Sequence, residues 1–277
     1  MRRRQVLAAL GVVTSVFTTG CVTGTTRDGD GSTLGDESTV PPENTPTPTD
    51  PEPQRLTVGA STTVGDGVSL GVADPRVRRS VVTYRVSFFA IQGESGVQFV
   101  VVDVQGDTGF EPSSFVLERD GVIQSPPRAQ EYVRSVTRRC DGACIGIPVD
   151  ADAAASAAVV YRPDDTVRAV WELDDWTVAA LSRVPDVRLR DATLTDEDGD
   201  VGITFSVDNV GERDGVFAGL VAPAWVSDAG EPVGFGVPRD ETVTQTVVPS
   251  ETQSLDPDEA TFSATPDTRY FEVQSDS

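Results

Sequence analysis

The chain has 277 residues, 44 of them Asp or Glu and 22 of them Arg, with no lysine and no histidine, and it carries a formal charge of −22. Without an imidazole or a side-chain amine, Ser-His-Asp and Cys-His nucleophilic sites, an imidazole general base, a Schiff-base lysine and a P-loop are all excluded. The negative charge also argues against a nucleic-acid partner, which needs a basic stripe, and against electrostatic attachment to anionic lipid.

The first element in chain order is a leader. Arg2, Arg3 and Arg4 precede an apolar run over residues 6–17, which leads to Thr18-Thr19-Gly20-Cys21. A basic start, a short apolar centre and small residues at the exit describe a secretory signal, and the run is shorter than the ~20 residues that span a bilayer. Arg3-Arg4-Gln5-Val6-Leu7 resembles a twin-arginine export motif, with the general secretory route as the alternative. Either route delivers the mature chain outside. Thr18-Thr19-Gly20-Cys21 resembles a lipoprotein box, with Thr18 where leucine is usual. That resemblance implies lipidation of Cys21, so that the membrane is reached through lipid; the plain alternative is a secreted chain in which Cys21 has no role.

Removing the three leader arginines leaves a charge of −25 on the remainder. An acid-rich, lysine-free chain of this kind resembles the proteins of extremely halophilic archaea, and the resemblance implies concentrated salt as the natural solvent. The physics agrees, because the screening length falls from ~10 Å at 0.1 M to ~3 Å at 1 M and like-charge repulsion becomes local.

Residues 22–54 are rich in Thr, Gly, Asp, Glu and Pro, ending in Pro46-Thr47-Pro48-Thr49-Asp50-Pro51-Glu52-Pro53. Nothing there buries an apolar face, which predicts a disordered acidic tether whose threonines are open to O-glycosylation.

From Arg55 the pattern alternates with period two. Val68, Leu70 and Val72 predict one strand, Val82, Tyr84, Val86 and Phe88 a second, and the β-branched run over residues 99–104 a central one. Turn signals fall at Asp74-Pro75, residues 93–96, Gly106-Asp107 and Asp120-Gly121. Further strands are expected at residues 115–117, 145–149, 157–161 and 167–173. A short helix over residues 175–182, capped by Asp174, closes a first domain of residues 55–182. Cys140 and Cys144 are an even pair in an oxidising compartment once Cys21 is lipidated, and Gly142 eases the small loop that a disulfide between them would close. A metal site there would need carboxylates to complete its ligand set, and a redox site would need a closer spacing.

A second domain covers residues 183–277. Val201, Ile203, Phe205 and Val207 alternate strictly after Asp196-Glu197-Asp198-Gly199-Asp200, which predicts a hairpin. The turn needs Asp and Gly for its own geometry and departs from the EF-hand spacing, so calcium is not required to explain it. A strand ending in Asn209-Val210-Gly211 that re-enters after Asp214-Gly215 resembles the immunoglobulin-like modules related to bacterial cell-adhesion domains. The fold class expected is therefore all-β, with two immunoglobulin-like β-sandwich domains after a signal peptide and a disordered linker.

Few residues carry chemistry. The acids at Asp164-Asp165, Glu172 and Asp174-Asp175 leave a two-carboxylate glycan hydrolase as the catalytic alternative, although acids this abundant pair by chance. Trp171 sits in register with Ala169 and Leu173 and reads as core, whereas Trp225, beside Pro223, is the expected exposed contact. No cofactor or metal is expected. The reading is a lipid-anchored surface protein, not an enzyme, that contacts envelope protein or glycan, with a structural spacer as the further alternative; nothing in the sequence sets its oligomeric state.

Overall fold

The structure is a computed structural model that describes residues 53–65, 67–85, 88–106, 109–124, 131–134, 137, 140–197, 200–223, 230–248, 260–264 and 269–272. Arg3, Arg4, Cys21, the tether up to residue 52 and Trp225 lie outside these residues.

The described chain is mostly β-strand. In chain order the first strands are β1 (Gln54–Thr57), β2 (Ser61–Thr63), β3 (Ser69–Arg78), β4 (Val81–Arg85), β5 (Phe88–Gln92) and β6 (Val97–Gly106). They are followed by β7 (Phe115–Arg119), β8 (Val122–Ile123), β9 (Glu131–Arg134), β10 (Ala143–Asp150), β11 (Ala157–Tyr161) and β12 (Ala169–Glu172). After the helix α1 (Asp175–Ala180) come β13 (Val187–Glu197), β14 (Asp200–Asn209), β15 (Gly215–Pro223), β16 (Glu231–Val237), β17 (Thr242–Val247), β18 (Ala260–Ala264) and β19 (Arg269–Glu272).

Two sheets form the first half. One has the order β1-β12-β11-β7-β8 and the other β2-β3-β6-β10-β9-β4-β5. Alternate residues of each point at the other: Val100, Val102 and Val104 of β6 meet Phe115, Leu117, Val159 and Trp171 in one core. The Trp171 ring is fully buried and its Nε1–H donates to the Ala60 carbonyl at 2.9 Å, so its polar edge is satisfied. α1 closes one end. Asp174 caps it by accepting from the Thr177 amide at 2.6 Å, and Val178, Ala180 and Leu181 enter the core.

The second half repeats the plan with the sheets β13-β14-β17 and β16-β15-β18-β19. Ile203, Phe205 and Val207 of β14 pack on Phe217, Val221, Val233 and Val237 in a separate core. The β13/β14 hairpin pairs from Val187↔Asn209 to Glu197↔Asp200, where the alternation of residues 201–207 places it.

Three expectations change. The run through residues 82–88 is not one strand but the antiparallel pair β4/β5, closing at Arg85↔Phe88. Both arms carry the same alternation, so the reversal leaves no mark in the pattern. Asp74-Pro75 is not a turn: β3 runs through it with a bulge between Ala73 and Arg76, and Asp74 adopts φ 53°. Strand structure also begins at Gln54, inside the stretch assigned to the tether, where β1 lies parallel to β12.

Candidate binding cleft

The bulge in β3 decides which side chains face which way. On its N-terminal side Leu70 and Val72 point into the core; one extra residue reverses the phase, so that Val77 takes the core position. Arg76 and Arg78 are thereby turned to the opposite face of the sheet, directly across from Val101 and Phe99 of β6. That face is buried as well. All residues of β6 from Val97 to Val104 are buried, and Val97, Phe99 and Val101 join Val81, Val133 and Cys144 in a second apolar layer.

This layer is the floor of a cleft. Arg134 of β9 stands at its edge, with the guanidinium 5.1 Å from the centroid of Phe89. β15 forms the other wall: Phe217 and Val221 point into the second core, so the intervening Val216 and Ala218 face outward and line the cavity. The cavity is partly open to solvent and holds about 30 Å³, room for two or three water-sized groups. Its mouth carries Arg76, Arg78, Arg134 and Thr137, and none of its lining side chains is acidic among the described residues.

A fourth arginine, Arg213, lies outside the cavity lining but near enough to Arg78 to repel it. Arg213 Nη2 donates to Gln98 Oε1 at 2.7 Å and to the Val77 carbonyl at 3.1 Å, while its Nε donates to the Arg183 carbonyl at 2.6 Å. Gln98 is fully buried, and its Nε2 donates to the carbonyls of Ala180 and Leu181 at 3.2 and 2.6 Å. Arg213 is aimed by the loop that precedes β15. Asn209 Nδ2 donates to the carbonyls of Arg213 and Val237 at 2.8 and 2.9 Å, and its Oδ1 accepts from the amides of Asp186 and Gly211 at 3.2 and 3.1 Å. Gly211 is required there, because a Cβ would lie 2.2 Å from the Asp186 nitrogen. The Asn209-Val210-Gly211 motif is therefore a fastening that sets the course of residues 211–215.

The cleft is electrostatically unbalanced. Burial pushes the Arg78 guanidinium down to about 10, with Arg76 adding like-charge repulsion. Burial also pushes Arg213 down to about 10, with Arg78 repelling it and Asp214 offsetting part of the effect. Both remain cationic at neutral pH. Arg76 donates to the Asp74 carbonyl at 3.1 Å and reaches Cys140 Sγ at 3.7 Å. The Arg78 guanidinium has no hydrogen bond or ion pair with another described residue. The carboxylate on this face, Asp103, is 4% exposed and has both oxygens engaged by the amides of Asp141 and Gly142, each at 2.8 Å.

The other predicted residues fall as follows. Cys140 and Cys144 are joined by a disulfide with Cα atoms 5.9 Å apart, and their loop folds over Asp103. Gly142 is tightly held, since a Cβ there would meet the Val104 carbonyl at 2.2 Å. The acid pairs are dispersed by local structure. Asp165 pairs with Arg162 at 2.9 Å, Glu172 with Arg55 at 3.7 Å, and Asp174 caps α1. Trp176, in the first turn of α1, is 78% exposed. Among the described residues no group of three or more Cys, Asp or Glu is arranged to hold a metal.

Sequence reasoning did not single out Arg76, Arg78, Arg134 or Arg213. A signal was present: the chain has no lysine, and nine of its arginines fall in residues 76–139. What hid it was the bulge, without which Arg76 and Arg78 would share a face with Leu70 and Val72. Comparison of the chain with protein-family models, curated proteins and solved structures found no match to any of them.

Proposed function

We propose that this is an exported, lipid-anchored and non-catalytic binding protein that works in concentrated salt. In this reading Arg3 and Arg4 direct export, Cys21 carries the lipid, and residues 22–54 hold the folded part away from the membrane. The folded part consists of immunoglobulin-like sandwiches over residues 55–182 and 183–277, which contact envelope protein or glycan.

The observation that supports binding above all is the cleft: arginines around an apolar floor, walled by β3, β9 and β15, with its neighbouring carboxylate already engaged. Export is supported by the leader and by the Cys140–Cys144 disulfide, a bond suited to an oxidising compartment. Of the acids named for the catalytic alternative, Asp165, Glu172 and Asp174 each serve an ion pair or a helix cap.

The anchor is tested by Cys21→Ser. The expected outcome is transfer of the protein from the membrane fraction to the medium, and undiminished retention would defeat the lipid anchor. Affinity capture from intact cells in molar salt tests the binding role, with an envelope component expected to be retained by the wild-type protein and lost when Arg78 is replaced.

A further inference from the structure

We propose that the cleft between β3, β9 and β15 is a receptor site for a carboxylate carried on a short aliphatic body. The inference deepens the binding role and rests on it, but it stands or falls on Arg78 rather than on Cys21.

The first argument is charge. A guanidinium partly withdrawn from water, as that of the half-buried Arg78 is, is normally met by a carboxylate or by hydrogen bonds, because an unpaired and partly desolvated charge is costly. Arg78 has neither among the described residues, in a chain with twice as many acids as bases. Arg76 compounds the excess, and Asp103 is occupied by the disulfide loop. Among the described residues no acid lines this cationic surface, which leaves its charge to be neutralised by an external anion.

The second argument is shape. Guanidinium groups present a planar fork that matches a carboxylate through two parallel hydrogen bonds. Sulfate and phosphate satisfy the same donors, but they are polar on every side, whereas this site sets its arginines against Val81, Val101, Val133 and Val216. A ligand with a charged head and a small apolar body uses both surfaces. The cavity of about 30 Å³ limits that body to a few heavy atoms. Two sources share this chemistry: a free short-chain acid, and the terminal carboxylate of a peptide ending in a small aliphatic residue.

The test is saturation-transfer NMR on the full mature chain in molar salt, with isobutyrate as probe and isobutyramide as its uncharged counterpart. Saturation should reach the methyl groups of isobutyrate and not those of isobutyramide. A short peptide ending in valine, with and without C-terminal amidation, distinguishes the peptide source from the free acid. Arg78→Gln should weaken binding about tenfold or more, the scale of a charge-assisted pair of hydrogen bonds. Arg134 is exposed, so Arg134→Gln provides a second variant that leaves the cores untouched and should also weaken binding. Arg188→Gln, at an exposed residue already paired with Asp186, should leave it unchanged. The inference is overturned if neither isobutyrate nor the peptide binds, if isobutyramide binds equally, or if both arginine variants bind like wild type. Displacement by sulfate as effective as by isobutyrate would overturn it too, by reducing the site to a general anion hole. A chain still anchored through Cys21 that binds no carboxylate would remove this inference and leave the anchored module standing.

Discussion

Asn209 shows how much one side chain can organise. It is 1% exposed, and its amide uses two donors and accepts twice, joining the start of β13, the loop before β15 and the end of β16. Asn209→Ala strips partners from four buried or half-buried backbone groups at once. A loss of about 1–3 kcal/mol is expected, measured by denaturant unfolding in molar salt, and a smaller loss than ~0.5 kcal/mol would show that water replaces the amide. The sequence made the Asn-Val-Gly pattern conspicuous, yet the reason for Asn is a set of contacts far apart in the chain, which local pattern cannot contain. Cys140 and Cys144 were expected to pair once Cys21 is set aside for lipid, with Gly142 easing their loop. Intact-mass measurement without reduction should find them oxidised, two hydrogens lighter than the dithiol, and two free thiols would contradict the pairing.

At the scale of elements, legibility followed burial. Strands with strong two-sided or alternating apolar character, namely β6, β10, β11 and β14, were visible, as was α1 with its Asp174 cap. β1, β2, β8 and β9 were not, because they are two to four residues long, with exposed positions and no sustained alternation. The β4/β5 reversal was missed for another reason: Val86 and Ser87 are not the Gly or Asn that mark tight hairpins, and the apolar phase carries straight across them. The bulge at Asp74 had the widest consequence, since one inserted residue moves two arginines from a core position to the cleft. Two helix and strand features can be tested directly. Asp174→Ala removes the bond to the Thr177 amide and should cost about 1 kcal/mol without changing the fold, read as a lowered thermal midpoint. Asp74→Val forces a β-branched side chain into φ 53° and should cost ~1–2 kcal/mol, while Asp74→Gly tolerates the angle and should cost less.

For the whole molecule, the governing quantity is the −22 charge of the chain, or −25 without Arg2, Arg3 and Arg4. Its described ion pairs reach the surface: Arg55 with Glu118, Arg162 with Asp165 and Arg239 with Asp240 each keep at least one partner well exposed to water, where such a pair contributes ~0–1 kcal/mol. Such pairs cannot offset the mutual repulsion of so many acids. At ~0.1 M salt that repulsion extends over about 10 Å and acts against the compact state, whereas at ~1 M it is confined to about 3 Å. Dialysis of the mature chain from molar to ~0.1 M salt should therefore unfold it, followed as loss of far-UV β signal and of tryptophan burial around Trp171. A cooperative fold that persists at low salt would remove the argument for a saline habitat. The cleft adds a discriminating arm, because a ligand bound only by the folded state stabilises it in proportion to the logarithm of its concentration over Kd. Isobutyrate should lower the salt concentration at the unfolding midpoint for the wild-type chain and not for Arg78→Gln. Equal shifts in both would identify isobutyrate as a screening salt rather than an occupant of the arginine cleft.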